Sequence, residues 1–224
     1  MKKFLNFSLL FFSFITLCSF KTNYSILEYN KKFYPDFYDE KNIYNAPTNP
    51  VFLINKFFYL EQNYVPLNLV EVGIDYIKRE EIMLIDKEVN ENLIELQNEL
   101  RMSITVFSAY RSYEKQLSLY SINNDLLTAK PGFSEHQTGL AIDISQRDIG
   151  LIDDLEYSLL YKEINKLCYK YGFILRYPKN KEHITGYSFE PWHYRYVGKD
   201  IAEIIYNENI TLEEYFYKYV PLSY

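Results

Sequence analysis

Apolar residues recur mostly at helical spacing over 86–101, where Val89, Leu93, Ile94, Leu96 and Leu100 predict an amphipathic helix. The period then changes. Ile104, Val106 and Ser108 alternate with Thr105 and Phe107 in a β-branched and aromatic run, which reads as a buried strand. Ser112 follows as an N-cap, with Lys115 and Gln116 in the first turns of a helix reaching about Asp125. Pro131-Gly132 breaks the chain and marks 128–138 as a loop. A second short strand is predicted over 140–144, and another helix over 155–171 with Gly172 at its C-terminal stop. Residues 173–176 and 194–197 read as further strands separated by a polar loop, 179–183. Thr211 followed three residues later by Glu214 matches a capping box. Strands and helices mingle without a regular βαβ repeat, so the pattern predicts an α+β fold with a largely antiparallel sheet backed by helices.

The pattern is different before residue 55. Met1-Lys2-Lys3 is a short basic stretch, and 4–20 is apolar with scattered Ser and Thr, the layout of a secretory signal. Cys18 sits where a bacterial lipobox places its lipid-bearing cysteine, although Leu17 is large where a small residue is expected. The start therefore reads as a signal peptide or membrane anchor over 1–20, with lipidation at Cys18 left open. Residues 21–54, rich in Asn, Tyr, Lys and Pro without a clean period, read as a spacer, and 55–224 as one domain. The chain is expected in the periplasm or cell envelope. If Cys18 leaves with the signal or carries lipid, Cys168 stands alone in the domain and no internal disulfide can form. Cys168 is expected to be a small buried hydrophobe on a helix.

Charge narrows the partners. The 24 Lys+Arg against 30 Asp+Glu give a formal net charge of −6, which argues against nucleic acid. At 224 residues and 48% hydrophobic, the chain suffices for one real core, and it is read as a monomer.

Two of the three histidines stand in unusual company: Ser134-Glu135-His136-Gln137-Thr138-Gly139-Leu140-Ala141-Ile142-Asp143, and Glu190-Pro191-Trp192-His193. Zinc takes imidazole nitrogen and carboxylate oxygen, and catalytic sites use three protein ligands. His136, Asp143 and His193 are such a set, flanking a turn at Gly139 and entering from a neighbouring strand. A metal-activated water needs a base, and Glu190 is the nearest carboxylate in sequence to His193. Pro191 pushes Glu190 out of the α region, so this site belongs on loops and strand ends instead of one helix. Taken singly, a histidine beside a turn is more often structural than a ligand, and a lone Asp at a strand end usually caps or pairs. A third element joins them. The 104–108 strand runs into Ala109-Tyr110-Arg111-Ser112, and a guanidinium beside the metal suits a peptide carboxylate or a developing oxyanion. His183 is expected in solvent on its polar loop, and Trp192 is read as packing that fixes its two neighbours.

SAYRS, SEHQTGLAIDI, YGFILRYP and TGYSFEPWHYRYVG resemble the D-alanyl-D-alanine carboxypeptidases of the VanY type, within the wider zinc D,D-peptidase family. The resemblance runs in order from about Asn55 to Leu212. It implies a hedgehog/DD-peptidase-like antiparallel sheet, Zn²⁺ on His136, Asp143 and His193, Glu190 as catalytic base and Arg111 on the substrate carbonyl or carboxylate. It further implies that Ser134, Gln116 and Tyr177 line the substrate cleft, and that peptidoglycan stem peptides are the substrates. Ala109 departs from the Gly usual in that motif, and a short stretch between the Arg111 helix and Ser134 is expected to leave that wall of the cleft more open. Four rival readings stay open at this point: L,D-carboxypeptidase, D,D-dipeptidase, a non-catalytic wall-binding module of the same fold, and a structural envelope protein, which would leave the metal set unexplained.

Overall fold

The computed structural model describes residues 52–77, 82–123 and 128–220. The signal-like start, Cys18 and the spacer up to residue 51 lie outside these residues, as does the end of the helix expected near Asp125. The first elements are two three-residue strands, β1 (Leu69–Glu71) and β2 (Leu84–Asp86), paired antiparallel. Asp86 then caps helix α1 (Lys87–Leu100) by accepting from the Glu88 amide, and Arg101 closes it in a left-handed conformation. Val89, Asn92, Leu93 and Leu96 are its buried positions, and the three apolar ones lie on the face that the sequence period predicts.

Next come β3 (Thr105–Ser108), α2 (Tyr113–Asn123) and β4 (Ala141–Ser145). The Ser112 hydroxyl accepts from the Lys115 amide at 3.3 Å, the cap that the sequence suggests. The predicted helix over 155–171 is interrupted. A 3-10 turn at Asp153–Tyr157 precedes α3 (Leu159–Leu167), and a second one, Cys168–Tyr171, ends at Gly172 with φ 80°. Ser158 causes the first break: its backbone is extended and its hydroxyl takes the Tyr161 amide, which a continuous helix would not leave free. Strand β5 (Phe173–Leu175), the short helix α4 (Glu182–Thr185) and β6 (His193–Tyr196) follow. Helix α4 occupies part of the expected polar loop, and His183 on it is exposed. Helices α5 (Lys199–Glu208) and α6 (Leu212–Tyr219) finish the fold, α6 opened by the complete Thr211/Glu214 capping box.

The main sheet runs β3-β4-β6-β5, every pair antiparallel. Successive side chains of a strand point to opposite faces. Ile142 and Ile144 of β4 and Tyr194 and Tyr196 of β6 join the large core with Val89, Leu93 and Leu96 of α1 and Leu160 and Ile164 of α3. The alternate positions, Ala141, Asp143, His193 and Arg195, fall on the other face. A second apolar cluster packs Ile174 and Val197 with Ala202 and Ile205 of α5 and Leu212 and Phe216 of α6. Cys168 is buried, as expected of it, and burial pushes its thiol up to about 12.

Beneath the sheet's polar face lies a fully buried ionic layer. Arg176 donates through Nε to Glu135 (2.8 Å) and through both terminal nitrogens to Glu213 (2.9 and 2.6 Å). Arg195 also reaches Glu135, at 2.9 Å, and the Phe52 carbonyl at 2.9 Å. Two guanidiniums and two carboxylates balance, so the layer is neutral as a unit. Arg176→Met would leave Glu213 without its guanidinium in the interior and Glu135 with Arg195 alone, and is expected to cost about 3–5 kcal/mol of stability. Urea unfolding in the presence of chelator should show a lower midpoint at unchanged slope. A loss under about 1 kcal/mol, the worth of an exposed pair, would contradict this account.

Candidate active site

Antiparallel register brings the site together. Asp143 on β4 pairs directly with His193 on β6, so residues 50 apart in sequence share one spot on the polar face. Asp143 also pairs with Ser108 across a register shift in β3, where the strand bends toward Arg111. His136 arrives from the other side, on the 3-10 turn Glu135–Thr138. Gly139 ends that turn at φ 73°, a conformation that costs a residue with a Cβ, and sends the chain into β4. The segment after β3 is stitched to the turn: the Arg111 amide donates to the His136 carbonyl at 3.1 Å, and His136 Nδ1 lies 2.8 Å from the Ala109 carbonyl. Ala109 has no left-handed φ, so the departure from Gly there brings no strain.

One donor atom from each of His136, Asp143 and His193 lies within 4.8 Å of the others, and all three side chains are buried. His136 Nε2 is 3.3 Å from Asp143 Oδ2, His193 Nδ1 is 3.0 Å from Asp143 Oδ1, and the two imidazole rings stand nearly perpendicular. Two imidazoles and a carboxylate converging in this way suit Zn²⁺. His193 Nε2 and Glu135 Oε2 are buried without a hydrogen bond, on the far side of that imidazole.

Glu190 lies outside any helix, as Pro191 predicts, with Oε2 3.6 Å from His193 Nδ1. Arg111 is half-buried, its guanidinium held by Gln116 Oε1 at 2.8 Å and Ser108 Oγ at 3.1 Å. A cleft of about 360 Å³ opens over these groups. Ser134, Gln116 and Tyr177 line it, together with Thr128 and Ala129 on the wall expected to be open, whose residues 124–127 are outside the description. Trp192 also lines the cleft, half-buried, and so meets whatever enters it as well as packing. His183 does not line it.

Burial and charge set the protonation states. Burial alone would push the Asp143 carboxyl up, but His136 and His193 overcome it and hold Asp143 well below the usual carboxylate range. Burial lowers His136, aided by Arg111 and His193 against Asp143. At His193 burial also pulls down, yet the Asp143 and Glu135 carboxylates that face the ring, with Glu190 nearby, win and raise it to about 9. A bound cation would take the place of that proton. Glu190 is raised to about 7, first by burial and then by Asp143 and Glu135, against the pull of His193 and Arg111. The site therefore holds an ionised carboxylate between two imidazoles and a second carboxylate balanced near neutrality.

Sequence reasoning overlooked Glu135, Arg176, Arg195, Glu213 and Tyr187. Tyr187 lines the cleft, its ring 4.8 Å from that of Tyr177. The two arginines had a legible signal: each ends or interrupts an apolar strand run, where a lone cation needs a buried partner. Glu213 had none: the capping box picks out its neighbour Glu214, and no local pattern gives Glu213 a buried partner.

Residues 83–199 match the family model described as VanY, D-alanyl-D-alanine carboxypeptidase. YodJ of Bacillus subtilis is 41% identical over 187 residues, 77% of this chain and 68% of that one. The structure of the LdcB LD-carboxypeptidase is similar at TM-score 0.69 and 41% identity, covering 74% of this chain and 85% of that one. A vancomycin-resistance D,D-pentapeptidase, VanY of a VanB-type cassette solved with Zn(II), is similar at TM-score 0.59 and 32% identity, covering 75% and 98%. This chain belongs to the VanY family of D-alanyl-D-alanine carboxypeptidases.

Proposed function

We propose that this chain is a zinc-dependent carboxypeptidase that hydrolyses the terminal D-Ala-D-Ala bond of peptidoglycan stem peptides and releases D-alanine. The observation that carries the reading is the convergence of His136, Asp143 and His193 within 4.8 Å at a cleft that also holds Glu190 and Arg111. VanY, a relative by fold and sequence, was solved with Zn(II) and is named a D,D-pentapeptidase.

His136 Nε2, the Asp143 carboxylate and His193 Nδ1 would hold the ion. When bound, Zn²⁺ supplies Lewis acidity to the scissile carbonyl and makes a water more acidic. Glu190 takes the proton of the attacking water and returns it to the leaving amine. Arg111, its fork fixed by Gln116 and Ser108, holds the substrate carbonyl or carboxylate, so that charge developing there meets a donor already in place. Ser134 and Tyr177 shape the pocket around the terminal residue, and the half-buried Trp192 borders it. Peptidoglycan lies outside the cytoplasmic membrane, which agrees with the basic and apolar start of the chain as an export signal.

A second reading has its own support. LdcB, a match at TM-score 0.69, is an LD-carboxypeptidase, so trimming of tetrapeptide stems is the rival specificity on the same catalytic groups. Stem pentapeptide, tetrapeptide and free D-Ala-D-Ala, assayed side by side before and after chelation and with zinc restored, separate the two. Zinc-restored release of one D-alanine from the pentapeptide is the expected result. Preference for the tetrapeptide would move the assignment to L,D cleavage.

Glu190→Gln should lower kcat by about 10²–10⁴-fold while zinc stays bound at one equivalent. Turnover within a few-fold of the unaltered enzyme would remove Glu190 from the reaction. The pH profile follows from the same group. Glu190 accepts a proton only when ionised, and its carboxyl sits at about 7 before any cation lowers it. The acid limb of kcat/KM is therefore expected at or below about 7, with activity lost as pH falls. A limb at about 9, where the metal-free His193 imidazole titrates, would take this role from Glu190.

A further inference from the structure

Among the described residues, three buried side-chain atoms have no hydrogen-bond partner: Glu135 Oε2, Gln137 Oε1 and His193 Nε2. Two of them face each other, His193 Nε2 standing 3.5 Å from Glu135 Oε2. The opposite nitrogen of that ring, Nδ1, faces Asp143 at 3.0 Å and Glu190 at 3.6 Å. One edge of the imidazole thus looks into the cleft and the other into the buried ionic layer.

We infer that Glu135 is a positioning residue for His193, accepting its Nε2–H so that Nδ1 is the nitrogen turned to the cation, and that Glu213 of α6 holds Glu135 in this role through Arg176. The inference rests on the reading of His193 as a metal ligand. A neutral imidazole carries one N–H, so the nitrogen that does not bind the ion must donate. In the interior that donor needs an acceptor. Glu135 offers one oxygen only, because Oε1 already accepts from Arg176 Nε (2.8 Å) and Arg195 Nη1 (2.9 Å). Oε2 is left pointing at His193.

Glu135 is held in turn from α6. The outer edge of the Arg176 fork pairs with both oxygens of Glu213, in the first turn of a helix fixed by its capping box. A bidentate pair sets the plane of the guanidinium, and the guanidinium sets the Glu135 oxygen it bonds. Charge adds a second effect. With either glutamate removed, the layer behind His193 gains one positive charge beside a site built for a divalent cation. His136 is supported differently: its Nδ1 faces the Ala109 carbonyl at 2.8 Å, leaving Nε2 toward Asp143. The two histidines are therefore held as opposite tautomers, one by a carbonyl and one by a carboxylate.

The test is histidine nitrogen NMR on the ¹⁵N-labelled purified chain, titrated with zinc ion alone. Zinc is expected to shift Nε2 of His136 and Nδ1 of His193, with the His193 Nε2–H protected from exchange. Coordination of His193 through Nε2 would overturn the inference and leave the metal site standing. Zinc that shifts neither imidazole would overturn the metal reading itself, and the inference with it. Chelator competition adds a second readout. Glu135→Ala should weaken zinc by about 10–100-fold and Glu135→Gln by less, since an amide oxygen still accepts the N–H. Glu213→Gln should weaken zinc in the same direction. Affinity within about twofold in a folded Glu135→Ala variant would overturn the positioning role. The spectrum of the unaltered chain decides the question even where a variant fails to fold.

Discussion

Asp143 faces His193 across the β4–β6 register with both side chains buried, and the rest of the structure answers the cost of that burial. An ion taken out of water must meet opposite charge or several hydrogen bonds at once, or it gives up its charge. Asp143 keeps its charge because an imidazole stands at each of its oxygens. Glu135 keeps its own because two guanidiniums share one of its oxygens, although burial pushes the other way. Arg176 in turn needs Glu213. Each partner brings in the next, and the chain of compensation runs from the catalytic cleft to the last helix.

The two-faced sheet makes such a chain affordable. Alternation along β4 and β6 sends Ile142, Ile144, Tyr194 and Tyr196 to one side, where α1 and α3 close over an apolar core. That side supplies the burial that drives folding. The other face can then carry Asp143, His193 and Arg195, flanked by a smaller apolar cluster under α5 and α6. A helix could not divide labour so sharply, since its neighbours are three and four residues apart instead of alternating. The position of α6 acquires a second meaning here. Its apolar residues Leu212 and Phe216 dock it, and the docking delivers Glu213 to Arg176.

Much of this was legible in the sequence, for definite reasons. The α1 stripe, the alternation at β3, the Thr211/Glu214 box and the stop at Gly172 are local signals, read from a few neighbouring residues. His136, Asp143 and His193 were legible as a group because the resemblance orders them, and the turn at Gly139 made the first two neighbours. What stayed hidden was long-range or very short. Strands β1 and β2 are three residues each, too brief to display a period. The break at Ser158 is one hydroxyl competing for one amide, invisible to a count of apolar positions. The pairing of Arg176 with Glu213 joins residues 37 apart, and no local rule predicts it.

Two glutamates near His193 show how far surroundings decide role. Glu135 and Glu190 both lie within 3.6 Å of that imidazole, at opposite edges of the ring. Glu135 is fully buried, yet Arg176 and Arg195 bond it directly and hold it well below the usual carboxylate range. It can accept a hydrogen bond at any ordinary pH and cannot take up a proton, which suits a fixed support. Glu190 is less buried, and the pull of His193 and Arg111 on it is weaker than the push of its surroundings. Burial and the neighbouring carboxylates then carry Glu190 up to about 7, where gaining and losing a proton cost nearly the same. In the proposed reaction the base must also release its proton to a leaving amine, and that role suits such a balance. Carboxylates driven apart in this way mark which one moves protons and which one stays put, and the arginines decide between them.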